Sequence, residues 1–302
     1  MLEHGYGSPR KPDRVVVIGA NGFVGRTIVN RLAAGGIETL ALTRKELDLL
    51  AEGAAAKLVA LLRSTDSVVF ISAKAPAKTI PMMMENLRLA EPVCAALDNR
   101  PVAHVLYISS DAVYVDDANP VTEASSAAPS TPHGMMHAAR ELMLRLSTKA
   151  PIAMLRPTLI YGIDDPHNGY GPNRFRREAE AGGPIRIFGE GEERRDHIAV
   201  EDVAELAALI LLHRSRGALN AVTGVSTPFH DIAHELARLY GLAVESLPRS
   251  GPPPHLMHRH FDIAACHKAF PRFRFTPLWE GLQHLRRGSH PAWQTSPSTA
   301  AS

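Results

Sequence analysis

The stretch Val15-Val16-Val17-Ile18-Gly19-Ala20-Asn21-Gly22-Phe23-Val24-Gly25-Arg26-Thr27-Ile28-Val29 decides the fold. Four consecutive β-branched residues predict a buried strand. Three glycines at intervals of three follow, and Phe23, Val24, Ile28, Val29 and Leu32 then recur with the period of a helix packed on that strand. Gly19 suits a turn that a side chain would forbid, Gly22 lets the main chain approach a pyrophosphate, and Gly25 lets helix and strand lie close. The helix N-terminus adds unpaired N–H donors and a partial positive charge. A strand, a glycine turn and a helix in this order predict a dinucleotide site in a doubly wound parallel α/β sheet.

Length and composition agree with that class. The chain has 302 residues, 45% of them hydrophobic, enough for a large core with a smaller lobe. Its 33 basic and 31 acidic residues nearly cancel, which removes any global electrostatic case for nucleic acid or an anionic membrane as partner. No run approaches the length of a spanning helix, and Met1 to Arg14 has no apolar signal core. Cys94 and Cys266 are far apart and read as reduced thiols, which fits a cytoplasmic location. Residues 1–13 and 289–302 read as disordered tails, 14–165 as mainly the dinucleotide-binding domain, and 166–288 as the last sheet elements plus a substrate lobe.

Glu38 to Leu42 reads as the second strand, ending at Thr43-Arg44-Lys45. An acidic residue at this strand end would favour a free ribose 2′-hydroxyl, and none stands there. Arg44 and Lys45 can instead pair with a 2′-phosphate, which favours NADP over NAD; the other reading is two solvated loop cations. After a helix over Ala54 to Leu62, Ser67 to Ala73 reads as a buried strand whose small last residues, Ser72 and Ala73, leave room for a ligand. A helix over Met82 to Leu97 holds Asn86 and three methionines read as packing. The strand Val102 to Ile108 then delivers Ser109, Ser110 and Asp111 to the crevice at its carboxyl end. A long polar loop, Asp116 to Pro132, leads to a helix that opens with His133 and His137, one turn apart on one face. Ile152 to Pro157 is a further strand, and the less regular remainder carries Asn173, Arg174 and Arg195-Asp196.

These motifs together resemble the extended short-chain dehydrogenase/reductase family, NAD-dependent epimerases and dehydratases that modify nucleotide-linked sugars. The resemblance spans about Arg14 to Arg287 and rests on Gly19 to Gly25, Ser109-Ser110-Asp111-Ala112-Val113-Tyr114, Leu155-Arg156-Pro157 with Tyr161-Gly162, and Arg195-Asp196-His197-Ile198. Thr43-Arg44 and Asp48-Leu49 are similar to the stretch of dTDP-4-keto-rhamnose reductases whose aspartate lies near the adenine. By resemblance Ser110 bonds the substrate oxygen, Asp111, Asn173, Arg174 and Arg195 lie on the substrate side, and the chain is a homodimer. The implied reaction is hydride transfer at a ring carbon, a 4-keto reduction or an epimerisation.

The catalytic pair departs from that pattern. His133 and His137 occupy the places of a tyrosine that exchanges the substrate proton and a lysine that grips the nicotinamide ribose. The ordinary histidine pKa of about 6.5 suits proton exchange near neutrality, so His133 is a candidate acid and His137 a ribose ligand. The same double replacement also fits a sensor or scaffold that keeps the cofactor and has lost hydride chemistry. Two further histidine groups, His230 with His234 and His255 with His258 and His260, lack a recognised metal spacing, so no metal is expected.

Overall fold

The structure is a computed structural model that describes residues 1–249, 256–291 and 293. Its elements are, in chain order, β1 (Val15–Ile18), α1 (Phe23–Ala34), β2 (Thr39–Leu42), α2 (Ala54–Leu61), β3 (Ser67–Phe70), α3 (Ile80–Asn99), β4 (His104–Ile108), α4 (Pro132–Leu146), β5 (Ile152–Pro157) and β6 (Leu159–Tyr161). There follow α5 (Pro172–Glu180), β7 (Ile185–Phe188), β8 (Arg194–Ala199), α6 (Val200–Leu212), β9 (Gly217–Ala221), β10 (Ser226–Pro228), α7 (Phe229–Tyr240), β11 (Val244–Leu247), α8 (Ala264–Ala269) and α9 (Leu278–Arg287).

Six parallel strands form the main sheet in the order β2-β1-β3-β4-β5-β9. The order reverses on either side of β1, and ligands of doubly wound sheets bind at the carboxyl ends beside such a reversal. Alternation along β1 sorts the core into two layers. Val15 and Val17 join α1 and α6 on one face, while Val16 and Ile18 join α2 and α3 on the other. A buried, bidentate Arg31–Glu205 pair crosses from α1 to α6. The smaller lobe has its own core, in which Phe175, Ile185, Ile187, Phe229, Ile232 and Leu236 pack between α5, α7 and the β7–β11 pair. Among the described residues no helix is long and apolar enough to cross a membrane.

Two expectations change. The strand predicted over Ser67 to Ala73 ends at Phe70, so Ser72 and Ala73 lie in the segment that follows it, with the Ser72 nitrogen against Gly19. The first thirteen residues, expected as a disordered tail, pack against the sheet edge. Glu3 exchanges backbone bonds of 2.8 Å with Arg216, and the His4 ring stacks on His213 at 4.4 Å. A polar segment is held in place here by paired backbone groups, which composition does not reveal. Of the other tail, His290 bonds Glu201 at 2.7 Å and Trp293 packs on the core; residues 292 and 294–302 lie outside the described residues.

His104 opens β4 fully buried, its Nε2 donating to the Ser215 carbonyl at 2.6 Å, and burial pushes its pKa down to about 4. The unfolded chain takes up a proton near the ordinary value of about 6.5 that the folded chain refuses until about 4, so this histidine costs stability as the pH falls across that window. Between about pH 7 and about pH 4.5, His104→Gln is therefore expected to lose about 2 kcal/mol less unfolding free energy than the wild type. Urea unfolding at both pH values measures it; equal losses would remove His104 from the acid response.

Candidate active site

The glycine turn is shaped by contacts that admit no side chain. Gly19 has φ of +100°, and a Cβ there would stand 2.7 Å from the Ser72 nitrogen. At Gly25 it would stand 2.2 Å from the Gly19 carbonyl oxygen, so α1 lies directly on the turn. Gly22, by contrast, would meet only the Gly19 oxygen at 3.4 Å, and it begins α1 without a side-chain cap. The first N–H groups of α1 are thus left for an anion. Asn21 is exposed beside them, Val24 packs into the core, and Phe23 covers Gly162 at the end of β6. Asn86 fixes the opposite wall through bonds of 2.9 and 3.0 Å to the backbone of Lys74, next to Ala73. These residues fit a dinucleotide pyrophosphate.

At the end of β2 the Arg44 side chain is 78% exposed and pairs with Asp48 at 3.2 Å. Asp48 also accepts from Leu50 N at 3.0 Å, and both contacts hold its carboxyl below the ordinary range. Leu49 is buried in the core. The sequence reading left this strand end without an acid, but Glu46 folds back onto it. Its carboxylate accepts from Thr43 N at 3.1 Å and from Thr43 Oγ1, so Thr43 is already engaged.

Ser110 stands two residues after the end of β4 and caps the short turn Asp111–Val113, accepting from Ala112 N at 3.1 Å. The first turn of α4 is pressed against it: a Cβ on Gly134 would stand 1.9 Å from the Ala112 carbonyl oxygen. This contact brings Ser110 and the start of α4 together. Thr131 caps α4, accepting from Gly134 N at 3.2 Å. The rings of His133 and His137 then meet edge to face with centroids 4.7 Å apart. Ala77 N donates to His133 Nδ1 at 3.4 Å, so Nδ1 is an acceptor and the ring proton sits on Nε2.

Burial, and after it the neighbouring His167, pushes the His133 pKa down to about 4. The value near 6.5 expected from sequence is therefore corrected: at neutral pH this is a neutral imidazole that donates from Nε2. His137, more deeply buried, is pushed well below the ordinary value by burial, His133 and Arg140.

On the substrate side, Asp111 is pushed upward by burial and lies 3.7 Å from the buried Arg259, whose charge opposes that push. Arg259 also reaches Asp116 at 3.6 Å and the Val115 carbonyl at 3.3 Å, and sequence reading missed it because no local pattern marks it. Arg195 pairs with Glu193 at 3.1 Å and bonds the Leu256 carbonyl, while its charge also acts on Asp111. Asp196 accepts three bonds from Thr223 and Gly224 at 2.7 to 3.0 Å, bracing β8 against the turn after β9. Burial still pushes it up to about 6. Both ends of the Asn173 amide are used in tying α5 to β6, accepting from Gly162 N and donating to the Ile160 carbonyl. Arg174 lies over the Tyr170 and Phe188 rings and pairs with Glu178.

A sequence profile of the NAD dependent epimerase/dehydratase family matches residues 15–222, the span that holds the turn, Ser110 and both histidines. The chain belongs to that family. The fold recurs in the UDP-glucose 4-epimerase of Thermotoga maritima crystallised with UDP-glucose, at 20% identity and a TM-score of 0.81 over 91% of this chain and 97% of that one. A GDP-L-fucose synthetase of Naegleria fowleri bound to NADP matches at 14% identity and 0.80, covering 93% and 94%. A UDP-glucose 4-epimerase of Thermus thermophilus in complex with NAD matches at 23% and 0.78, covering 92% and 100%. Membership makes the cofactor a nicotinamide dinucleotide and favours an oxidoreductase or epimerase over a sensor.

Among the described residues no third ligand joins the other histidines. His230 and His234 face each other at 4.2 Å, His258 and His260 stack at 6.0 Å, and His255 lies outside the described residues. Among the described residues no three metal-ligating side chains converge.

Proposed function

We propose that this family member reduces a keto group on a nucleotide-linked sugar, using NADPH. The carrying observation is the Ala77 N–H directed at His133 Nδ1, which leaves Nε2–H as the donor. A reduced nicotinamide dinucleotide held at the Gly19–Gly25 turn would supply the hydride for the carbonyl carbon. The carbonyl oxygen takes on negative charge as it becomes an alkoxide, and a neutral imidazole donor stabilises that charge and passes its Nε2 proton to it; solvent replaces the proton. Ser110, held beside α4, is the second hydroxyl-level contact to the same oxygen. The nucleotide sugar itself rests on the family and on the structural relatives whose crystals contain one.

NADP is favoured by the exposed Arg44, whose pairing with Asp48 a 2′-phosphate would replace. Arg44→Ala is expected to weaken NADPH about tenfold, the worth of one charge-assisted contact, with NADH unchanged. Glu46 carries a second reading, because a carboxylate bonded to Thr43 suits an unphosphorylated ribose. NADH binding as tightly as NADPH, insensitive to Arg44→Ala, would establish that reading. The reaction is tested with NADPH and a panel of 4-keto sugar nucleotides, following nicotinamide absorbance. Turnover on one member is expected; silence across the panel with intact NADPH binding would sink the proposal.

The partner is a second copy of the chain. Ile80 and Met84 on α3, and Met135, Leu142 and Leu146 on α4, are exposed large apolar residues on adjacent helices. Leu142→Glu with Leu146→Glu is expected to halve the mass measured by light scattering. The buried, unpaired thiols of Cys94 and Cys266 support a reducing, cytoplasmic setting.

A further inference from the structure

His133, His137 and Arg140 are spaced four and then three residues apart, so they follow one another down a single face of α4. That face is turned inward against β3, β4 and α3. His137 is 5% exposed and Arg140 is 0% exposed. A guanidinium at that depth needs strong company, because an unpaired charge in the interior costs several kcal/mol. Arg140 Nε donates to the Asn86 carbonyl at 3.0 Å, and the group lies over the Phe70 ring at 4.8 Å. Among the described residues Nη1 and Nη2 have no hydrogen-bond partner and no carboxylate pairs with Arg140.

Its remaining neighbour is the Tyr107 phenol. The Arg140 guanidinium and the Tyr107 ring lie against the same Phe70 ring, at 4.8 and 5.6 Å, so the Arg140 charge acts on the phenol, and Tyr107 OH stands 2.7 Å from His137 Nδ1. Three groups therefore stand in a row: a cation, a hydroxyl and an imidazole.

We propose that Arg140, acting through Tyr107, is a positioning residue that locks His137 as the tautomer with its proton on Nε2. A guanidinium has only donors, so the lone pairs of the Tyr107 oxygen turn toward it and the O–H turns away. The acceptor in that direction is His137 Nδ1, at ordinary O–H···N distance. The opposite tautomer would have to donate from Nδ1 into the phenol oxygen and turn the phenol proton against a positive charge. Nε2–H is then a permanent donor for a ribose hydroxyl at the position where the family resemblance calls for lysine. The positive charge of that lysine sits about one turn deeper, on Arg140. One residue's two tasks, donating and carrying charge, are divided between two residues three apart.

This inference rests on the family's cofactor site and not on the sugar or on NADP, and its main readout needs neither. Uniformly 15N-labelled full-length protein without ligand is expected to show His137 with a protonated Nε2 and an unprotonated Nδ1 in long-range 1H–15N spectra. Tyr107→Phe removes a single oxygen and is expected to give mixed tautomers at His137 with the His133 pattern unchanged. Arg140→Met is expected to do the same, and Arg140→Lys, which restores a buried cation, to return the Nε2–H form. Cofactor affinity by fluorescence is expected to fall about tenfold in Tyr107→Phe and Arg140→Met and to recover in Arg140→Lys. A wild-type His137 protonated on Nδ1 overturns the proposal whatever the variants do. So does a His137 pattern that stays Nε2–H in folded Tyr107→Phe. Should Arg140→Met not fold, Tyr107→Phe and Arg140→Lys decide the question alone.

Discussion

Turnover of His133→Ala falls about a hundred- to ten-thousand-fold, the range lost with a positioned proton donor, while NADPH affinity stays within a factor of about three. The separation follows from geometry. His133 is held by Ala77 N and the His137 ring, and the proposed pyrophosphate cradle of Gly19, Gly22 and Gly25 lies at a different strand end. The pH profile distinguishes the kind of acid. With His133 pushed down to about 4, the imidazole is neutral throughout about pH 5.5 to 8, so the wild-type kcat has no limb from this group there. An imidazolium donor near the ordinary value would instead make kcat rise as the pH fell through about 6.5. Full activity in His133→Ala would transfer the role to another residue, and a rise toward acid would restore the charged form.

What the sequence made legible follows distance along the chain. Strand, turn and helix from Val15 to Ala34 contact one another within twenty residues, and their glycines are dictated by sterics that any occupant of the turn must obey. The helix Phe229–Tyr240 is likewise fixed by local signals, a strong apolar period and Gly241, which stops it in the left-handed conformation. The strands β6, β10 and β11 were not legible. Each has three or four residues, and β6 and β11 pair with β8 and β7, more than thirty residues away, so no local alternation marks them. The site divides the same way. Spacing alone put His133 and His137 on one face, but the drop in their pKa comes first from burial in the packed fold, with His167 adding a charge effect at His133. Arg140 stands beside Glu141 in α4 with no local pattern to mark it as buried; only the packed fold reveals that its face is the inner one. Glu46 was passed over because it stands after the strand end and reaches it by folding back.

Glu141→Ala is expected to cost about 3–5 kcal/mol of unfolding free energy, a large part of the whole for an ordinary domain. Glu141 is 3% exposed and accepts from Ser109 Oγ at 2.7 Å, from Arg156 Nε at 2.8 Å and Nη2 at 2.6 Å, and from Arg145 at 2.9 Å. Arg156 in turn donates to Tyr114 OH at 2.8 Å, which donates to Asn220 at 2.7 Å. The network joins α4 to β4, β5 and β9, directly behind the serine that precedes Ser110. Removing the carboxylate strands the buried Arg156 cation, and that stranded charge is the larger part of the cost. A double variant, Glu141→Leu with Arg156→Met, removes both charges and is expected to be more stable than Glu141→Ala alone. Urea unfolding of the wild type, Glu141→Ala, the double variant and its two single variants, Glu141→Leu and Arg156→Met, measures the difference. If the double variant loses as much as the two single changes added together, the pair is not coupled and the stranded-charge account fails. If it recovers stability but turnover stays low, the network's remaining task is holding Ser109 and Ser110 against the first turn of α4, where Gly134 leaves no slack for a shifted strand end.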